Sequence, residues 1–152
     1  MKFDTDDIKA VLKQREPFLF IDSVADISDD SIEALLNVEE SDIFFKGHFP
    51  GNPIIPGVLL IESMAQTAGF LIAYNLVKEK GMDVENLEYD FYLSKVNSMK
   101  FKSKIMPPAT LRIKAKINPS LIENFCEASG QIYVGEELKA VGNLLLYMGI
   151  KK

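Results

Sequence analysis

Hydrophobic and polar positions divide the chain into a short amphipathic start, one long apolar segment and a strand-rich second half. Over residues 5–13, Ile8, Val11 and Leu12 share a helical face, and Asp4, Thr5 and Asp6 offer oxygens that can cap a helix. Pro17 breaks that pattern, and 18–27 (FLFIDSVADI) reads as a strand. Asp29-Asp30 marks a turn, after which the alternation of Ile32, Ala34, Leu36 and Val38 predicts a second strand over 31–38. Residues 57–78, GVLLIESMAQTAGFLIAYNLVK, are apolar nearly all round, the pattern of a buried helix or a membrane span. Glu62, Ser63, Gln66 and Thr67 stand inside this stretch, and an ionisable group is costly in lipid. A central helix wrapped by a sheet is therefore expected, with no membrane span. Further strands are predicted over 87–96, 98–106, 109–118, 122–134 and 138–148, separated at Pro107-Pro108, Asn118-Pro119 and the hairpin-like Gly135-Glu136. One long helix followed by five consecutive strands predicts an α+β fold, an antiparallel sheet with the helix packed on one face.

Between the second strand and the long helix lies the loop 46–57, KGHFPGNPIIPG, with three of the seven prolines and three of the nine glycines. Such density fixes some φ angles and frees others, so the loop is shaped rather than floppy. The 152 residues suffice for one core and not for two, so residues 1–152 are expected to form a single domain. An apolar fraction of 47% with 26% charged residues excludes a disordered or low-complexity chain. Seventeen basic against 22 acidic side chains, net −5, argue against a general nucleic-acid binder, whose affinity rests on neutralising phosphates. With Cys126 and His48 alone of their kinds, an internal disulfide and the usual Cys/His zinc site are out of reach, and no metal is expected. The start, MKFDTDDIKA, carries acids where a secretory signal would carry a basic start and an apolar run, so a reducing cytoplasm is the expected compartment.

His48 stands in a stiff apolar loop where flanking aromatics limit water, and a neutral imidazole near pH 7 is a competent base. A plain surface or core histidine is the alternative. Glu62 is the only acidic residue between Asp42 and Glu79, and its neighbours Leu59, Leu60, Ile61, Met64 and Ala65 predict burial. Burial without a positive partner raises a carboxyl pKa and keeps a proton available, as a general acid requires. A glutamate that snorkels, or binds backbone near a helix start, is the competing account. Gln66, four residues on, shares the Glu62 face and could orient it by a hydrogen bond. Gly57 falls at the expected helix N-terminus, where unpaired N–H groups and the helix dipole favour developing negative charge. It could equally be there to let the chain turn. Base, acid and oxyanion donor together suit a β-elimination: a proton leaves the carbon α to a thioester carbonyl and the acid protonates the departing β-hydroxyl. That chemistry requires no metal and no cofactor of the enzyme's own.

At these residues the chain resembles a known family. GHFPGNPIIPGVLLIESMAQTAG is similar to the signature of the (3R)-3-hydroxyacyl-acyl-carrier-protein dehydratases of the FabZ type, and Arg15-Glu16-Pro17-Phe18-Leu19-Phe20-Ile21-Asp22 to their upstream segment. The resemblance runs from about residue 10 to 148 and is most specific over 48–66. It implies a hotdog fold, a long helix wrapped by a curved antiparallel sheet. It also implies His48 as catalytic base, Glu62 as acid with Gln66 supporting it, and Gly57 as backbone donor to the thioester oxygen. Further implications are a cis His48–Phe49 peptide, a dimer in which one site draws residues from both subunits, and dimers that often assemble into hexamers. Gln14, Ser23, Ser63 and Pro108-Ala109 depart from the family pattern and point to a specialised branch, such as polyene or polyketide synthesis, as readily as to housekeeping fatty-acid synthesis. Hotdog acyl-thioesterases and non-catalytic carrier-binding hotdog subunits are the neighbouring alternatives.

The expected partner is an acidic acyl carrier protein bearing its substrate on phosphopantetheine, which calls for a local basic patch despite the net charge. Lys100, Lys102 and Lys104 alternate on one strand face, as do Arg112, Lys114 and Lys116, the pattern also of an ordinary solvated face. By resemblance Lys100 and Lys102 lie near the carrier-docking region, where Lys46 and Lys95 could join them. Candidates for the apolar acyl tunnel are Phe49, Ile54, Ile55, Val58 and Phe91, with Phe45, Met64 and Tyr92 beside them.

Overall fold

The structure, a computed structural model, describes residues 2–118 and 122–151, so Pro119 of the expected Asn118-Pro119 break lies outside the described residues. The first helix, α1 (Thr5–Val11), opens on a reciprocal cap: the Asp4 carboxylate accepts the Asp7 N–H and the Asp7 carboxylate accepts the Asp4 N–H, each at 2.9 Å. It ends two residues before the expected limit, where Leu12 turns extended and Arg15 donates to the carbonyls of Lys9, Leu12 and Gln14.

The strands are β1 (Ser23–Ile27), β2 (Ser31–Val38), β3 (Tyr89–Phe101), β4 (Ala109–Ile117), β5 (Phe125–Val134) and β6 (Glu137–Ile150). They form one antiparallel sheet in the order β1-β2-β4-β5-β6-β3. The long helix, α2 (Gly57–Lys80), packs against it, which bears out the α+β expectation.

Two strand expectations are corrected. The strand expected over 18–27 begins only at Ser23, because backbone groups of Phe18 and Phe20 bond to side chains of α2 instead of entering the ladder. The strands expected over 87–96 and 98–106 are one, so four strands rather than five follow the helix. Pairing of β3 with β6 runs through the supposed gap, with irregularities at Leu93/Lys95 and Val96/Ser98 that absorb Asn97 as a bulge. Residues 102–106 leave the strand, and the Ile105 carbonyl there accepts the Ile55 N–H at 2.9 Å.

Every residue of α2 from Ser63 to Ala73 is buried, which is why the segment is apolar on all sides. The sheet covers one flank; Phe3 covers part of another, its ring 5.4 Å from Phe70 and 5.5 Å from Tyr74. By length and composition α2 could cross a membrane, but 67% of its most apolar window is buried within the protein, as befits a core helix. It stops at Gly81, whose φ of 59° closes the last turn onto the Val77 carbonyl.

Packing on α2 is close enough to forbid a methyl group at its middle. A Cβ on Gly69 would stand 2.5 Å from Phe91 Cζ. Gly69→Ala is therefore expected to cost about 1–3 kcal/mol through overpacking, against the ~1 kcal/mol that alanine ordinarily adds in a helix. Denaturant unfolding checks the sign; a net gain in stability would show that Phe91 yields freely.

Candidate active site

The loop before α2 closes on itself. Phe49 and Asn52 exchange both backbone hydrogen bonds, at 3.0 and 2.8 Å, around Gly51 at φ 71°. The Ile54 N–H donates to the His48 carbonyl at 3.0 Å, and the His48–Phe49 peptide is cis. Pro50, Pro53 and Pro56 carry no N–H, so the loop has few donors to satisfy. Within this frame His48 Nδ1 lies 2.8 Å from the Ile54 carbonyl. A carbonyl can only accept, so Nδ1 carries the proton and the lone pair of the neutral ring sits on Nε2. The Phe49 ring stacks on the imidazole at 4.0 Å and 26°.

Glu62 stands half-buried on the second turn of α2. Burial pushes its carboxyl above the ordinary range, and a hydrogen bond from Gln66 pulls part of the way back. Gln66 is fully buried and spends its whole amide: Nε2 donates to Glu62 Oε1 at 2.8 Å and to the Phe18 carbonyl at 3.0 Å, while Oε1 accepts the Phe20 N–H at 2.7 Å. Acceptance from a backbone N–H fixes which end of the amide is oxygen, and so fixes the donor facing Glu62. Ser63, also buried, adds a bond from Oγ to the Phe20 carbonyl at 2.7 Å. Sequence reasoning noted Ser63 as a departure but missed that it and Gln66 clamp segment 18–20 to the helix. Three buried polar residues in an apolar helix were the available signal.

Gly57 is the first residue of α2. Its N-cap is Pro56, which supplies no side-chain hydrogen bond, so the N–H groups at this end lack a side-chain cap. The turn explanation for Gly57 does not hold, since the residue sits in the helix and its φ is not left-handed. The Phe101 ring stands against this position, with Cζ 2.9 Å from where a Cβ would lie, so a side chain here would have to displace the ring.

Among the described residues no hydrogen bond or ion pair joins His48 to Glu62 within one chain: the first is tied to its own loop and the second to Gln66. Nor are the five expected tunnel residues gathered into one lining. Ile55 is buried and Ile54 half-buried in the loop, whereas Phe49 and Val58 are open to solvent, Val58 at 71%. Phe91 packs on Gly69, twelve residues and about 18 Å along the helix from Gly57.

The expected alternation holds for Arg112, Lys114 and Lys116 on the outer face of β4, but not for Lys100, Lys102 and Lys104, because β3 ends at Phe101 and the last two lie beyond it. Lys100 faces outward on β3 and pairs with Val141; the same cross-strand row carries Gln131, Lys114 and Glu33. Lys102 follows, its N–H bound to the Lys139 carbonyl at 2.8 Å. Arg112 is partly engaged, 3.7 Å from Glu33 and over the Tyr133 ring. A hollow of about 430 Å³ lies on this outer face, lined by Ser31, Lys114, Lys116, Ser129 and Asn143 among others, and includes neither His48 nor Glu62.

Compared with known proteins, residues 12–140 match the FabA-like domain family. The chain is 36% identical to the 3-hydroxyacyl-[acyl-carrier-protein] dehydratase FabZ of Syntrophobacter fumaroxidans, over 95% of this chain and 93% of that one. It is 35% identical to the enzyme of the same name from Streptococcus agalactiae, over 92% and 99%. It is also 34% identical to the bifunctional enzyme LpxC/FabZ of Porphyromonas gingivalis, over 89% of this chain, and spans only 28% of that relative's length. Among solved structures, the dehydratase heterocomplex ApeI:P from Xenorhabdus doucetiae superposes with a TM-score of 0.76 at 18% identity, over 92% of this chain and 89% of that one. A hypothetical thioesterase with coenzyme A from Streptococcus pneumoniae gives 0.59 at 13%, over 85% and 87%. These two likenesses are of fold.

Proposed function

Since the chain belongs to the FabA-like domain family and, within it, to the FabZ-type 3-hydroxyacyl-[acyl-carrier-protein] dehydratases, we propose that it removes water from (3R)-3-hydroxyacyl thioesters on carrier protein to give trans-2-enoyl thioesters. His48 Nε2 takes the proton from C2. Negative charge builds on the thioester oxygen, which lies against the Gly57 N–H at the positive end of α2. The electrons then close the C2=C3 double bond, and the C3 hydroxyl departs with the Glu62 proton as water. The observation that carries this reading is the His48 Nδ1 bond to the Ile54 carbonyl, which aims a basic Nε2 away from the loop. The carboxyl of Glu62, raised by burial, supplies the complementary acid.

The proton balance closes on these two side chains, and the only prosthetic group in the scheme is the carrier's own phosphopantetheine. Two copies of the chain build each site, His48 from one and Glu62 from the other, by pairing along β3. That strand is the sheet's edge, thirteen residues long, with Tyr92, Val96 and Lys95 exposed. Dimers can assemble further into hexamers. Phe49, Ile54, Ile55, Val58 and Phe91 then come from both copies to line one acyl tunnel. The single buried thiol of Cys126 is at home in a reducing cytoplasm.

The deciding measurement follows enoyl formation by ultraviolet absorbance and free thiol in parallel on a 3-hydroxyacyl carrier substrate. Enoyl product without thiol is expected; thiol release would mean a thioesterase, and carrier binding without turnover a non-catalytic subunit. Lys100 and Lys102 form the carrier-docking patch in this reading. Reversing both to Glu is expected to weaken use of carrier-bound substrate at least about tenfold, while changing turnover of a small thioester mimic little. Equal losses on both substrates would remove the lysines from docking.

A further inference from the structure

Phe101 closes β3, paired with Ala140, and its side chain falls on the helix side of the sheet while Lys100 faces outward. In an α-helix the Cα–Cβ bond tilts toward the N-terminus. The space that a Gly57 Cβ would fill is therefore at the very rim of α2, and the tip of the Phe101 ring fills it, with Cζ, Cε1 and Cε2 at 2.9, 3.1 and 3.1 Å from the absent carbon. The ring is seated beside the N–H groups that no side chain caps. Around the same rim stand Val58, and Met106 next to the Ile105 carbonyl that holds Ile55. All three apolar side chains are open, Phe101 at 47%. An exposed aromatic ring beside polar donors suits an occupant with a carbonyl next to an apolar flank, which a thioester is.

We propose that Phe101 is a positioning residue of the dehydration site: its ring is the wall against which the thioester lies when its oxygen meets the Gly57 N–H, and residue 57 is glycine in order to admit that ring. The proposal rests on the function assigned above. An apolar wall at this point keeps water from the donor, which strengthens the hydrogen bond to the developing oxyanion. It also limits the directions from which the carbonyl can approach, so the C2 proton is presented consistently to the base. Phe101 lies between Lys100 and Lys102 in sequence at the end of β3, with its ring on the helix face and Lys100 on the outer face.

The test uses the full chain with 3-hydroxyacyl substrates on carrier protein and on pantetheine. Phe101→Ala is expected to lower kcat about tenfold on both substrates with KM changed less than about threefold, and Phe101→Leu, which keeps bulk, to hold kcat within about threefold. Gly57→Ala is expected to cost far more in the wild-type background than beside Phe101→Ala, where its Cβ has room. Three results overturn the proposal: an alanine variant with wild-type kcat, alanine and leucine variants that fall together with their melting temperatures, or a Gly57→Ala cost equal in both backgrounds. With wild-type dehydration intact and lost in His48→Ala, those results bear on Phe101 alone. A wild type that forms no enoyl product overturns both readings.

Discussion

Replacing His48 by alanine is expected to lower kcat for dehydration by about 10²–10⁴-fold, the usual worth of a positioned general base. Glu62→Gln is expected to fall in the same range, because an amide accepts the Gln66 hydrogen bond but cannot deliver a proton. The double variant should lose about as much as the worse single one, since base and acid act as a unit. Stability separates the two effects. The folded pKa of Glu62 lies above the ordinary 4.5 because burial penalises its charge. Between those values the unfolded chain has released the proton and the folded chain still holds it, so the carboxyl's contribution to stability declines as pH rises through that window. Glutamine does not titrate. The Glu62→Gln variant should thus match or exceed wild-type stability at neutral pH, and its advantage should grow from pH 4.5 upward. Asp22, also raised by burial, is present in both proteins and cancels from the difference. Rates with thermal melts across pH make the comparison; a folded variant at either position with wild-type turnover would end the assignment.

Gln66→Leu should be the most disruptive change that leaves both reacting groups in place. It strips partners from the Phe20 N–H and the Phe18 carbonyl, and from Glu62 itself. The orphaned Phe20 N–H is buried and costs about 1–3 kcal/mol, while the Phe18 carbonyl belongs to an exposed residue and costs less, so a loss of roughly 1–4 kcal/mol in unfolding free energy is expected. The catalytic consequence has its own sign. The Gln66 bond favours ionised Glu62, so its removal moves the carboxyl pKa further up. The alkaline limb of the kcat–pH profile, where the acid is lost, should shift to higher pH even as the maximum falls. A profile that only scales down, with unchanged shape, would make Gln66 a structural residue alone.

Much of the site was legible before any fold was known. An acid in an apolar run, a histidine among prolines and glycines, and a glutamine one turn beyond the acid are local patterns; the structure buries Gln66 fully but Glu62 only by half, and leaves Phe49 beside His48 open to solvent. What the spacing could not reveal is how these pieces meet. Gln66 looked like support for Glu62 and is in fact the centre of a clamp whose other end is 46 residues away at Phe20. Gly57 looked like a turn residue or an oxyanion donor; in the fold the Phe101 ring stands where its side chain would be, a contact that no local signal connects to it. The strand expected over 18–27 failed at its start for the same cause, since Phe18 and Phe20 found partners in α2 rather than in the sheet.

Residue order by itself determined the chemistry available, the helix buried on every side, the alternation of β2 and β4, and the stiff loop that carries His48. Periodicity of two or 3.6 reports which face of an element is apolar, and burial of apolar faces is the dominant force on each. Tertiary structure alone decided the strand order β1-β2-β4-β5-β6-β3, the union of two expected strands into β3, and the seating of Phe101 on the start of α2. Those are choices among partners distant in sequence. They are made by pairing of backbone donors and by steric fit, neither of which leaves a period in the chain.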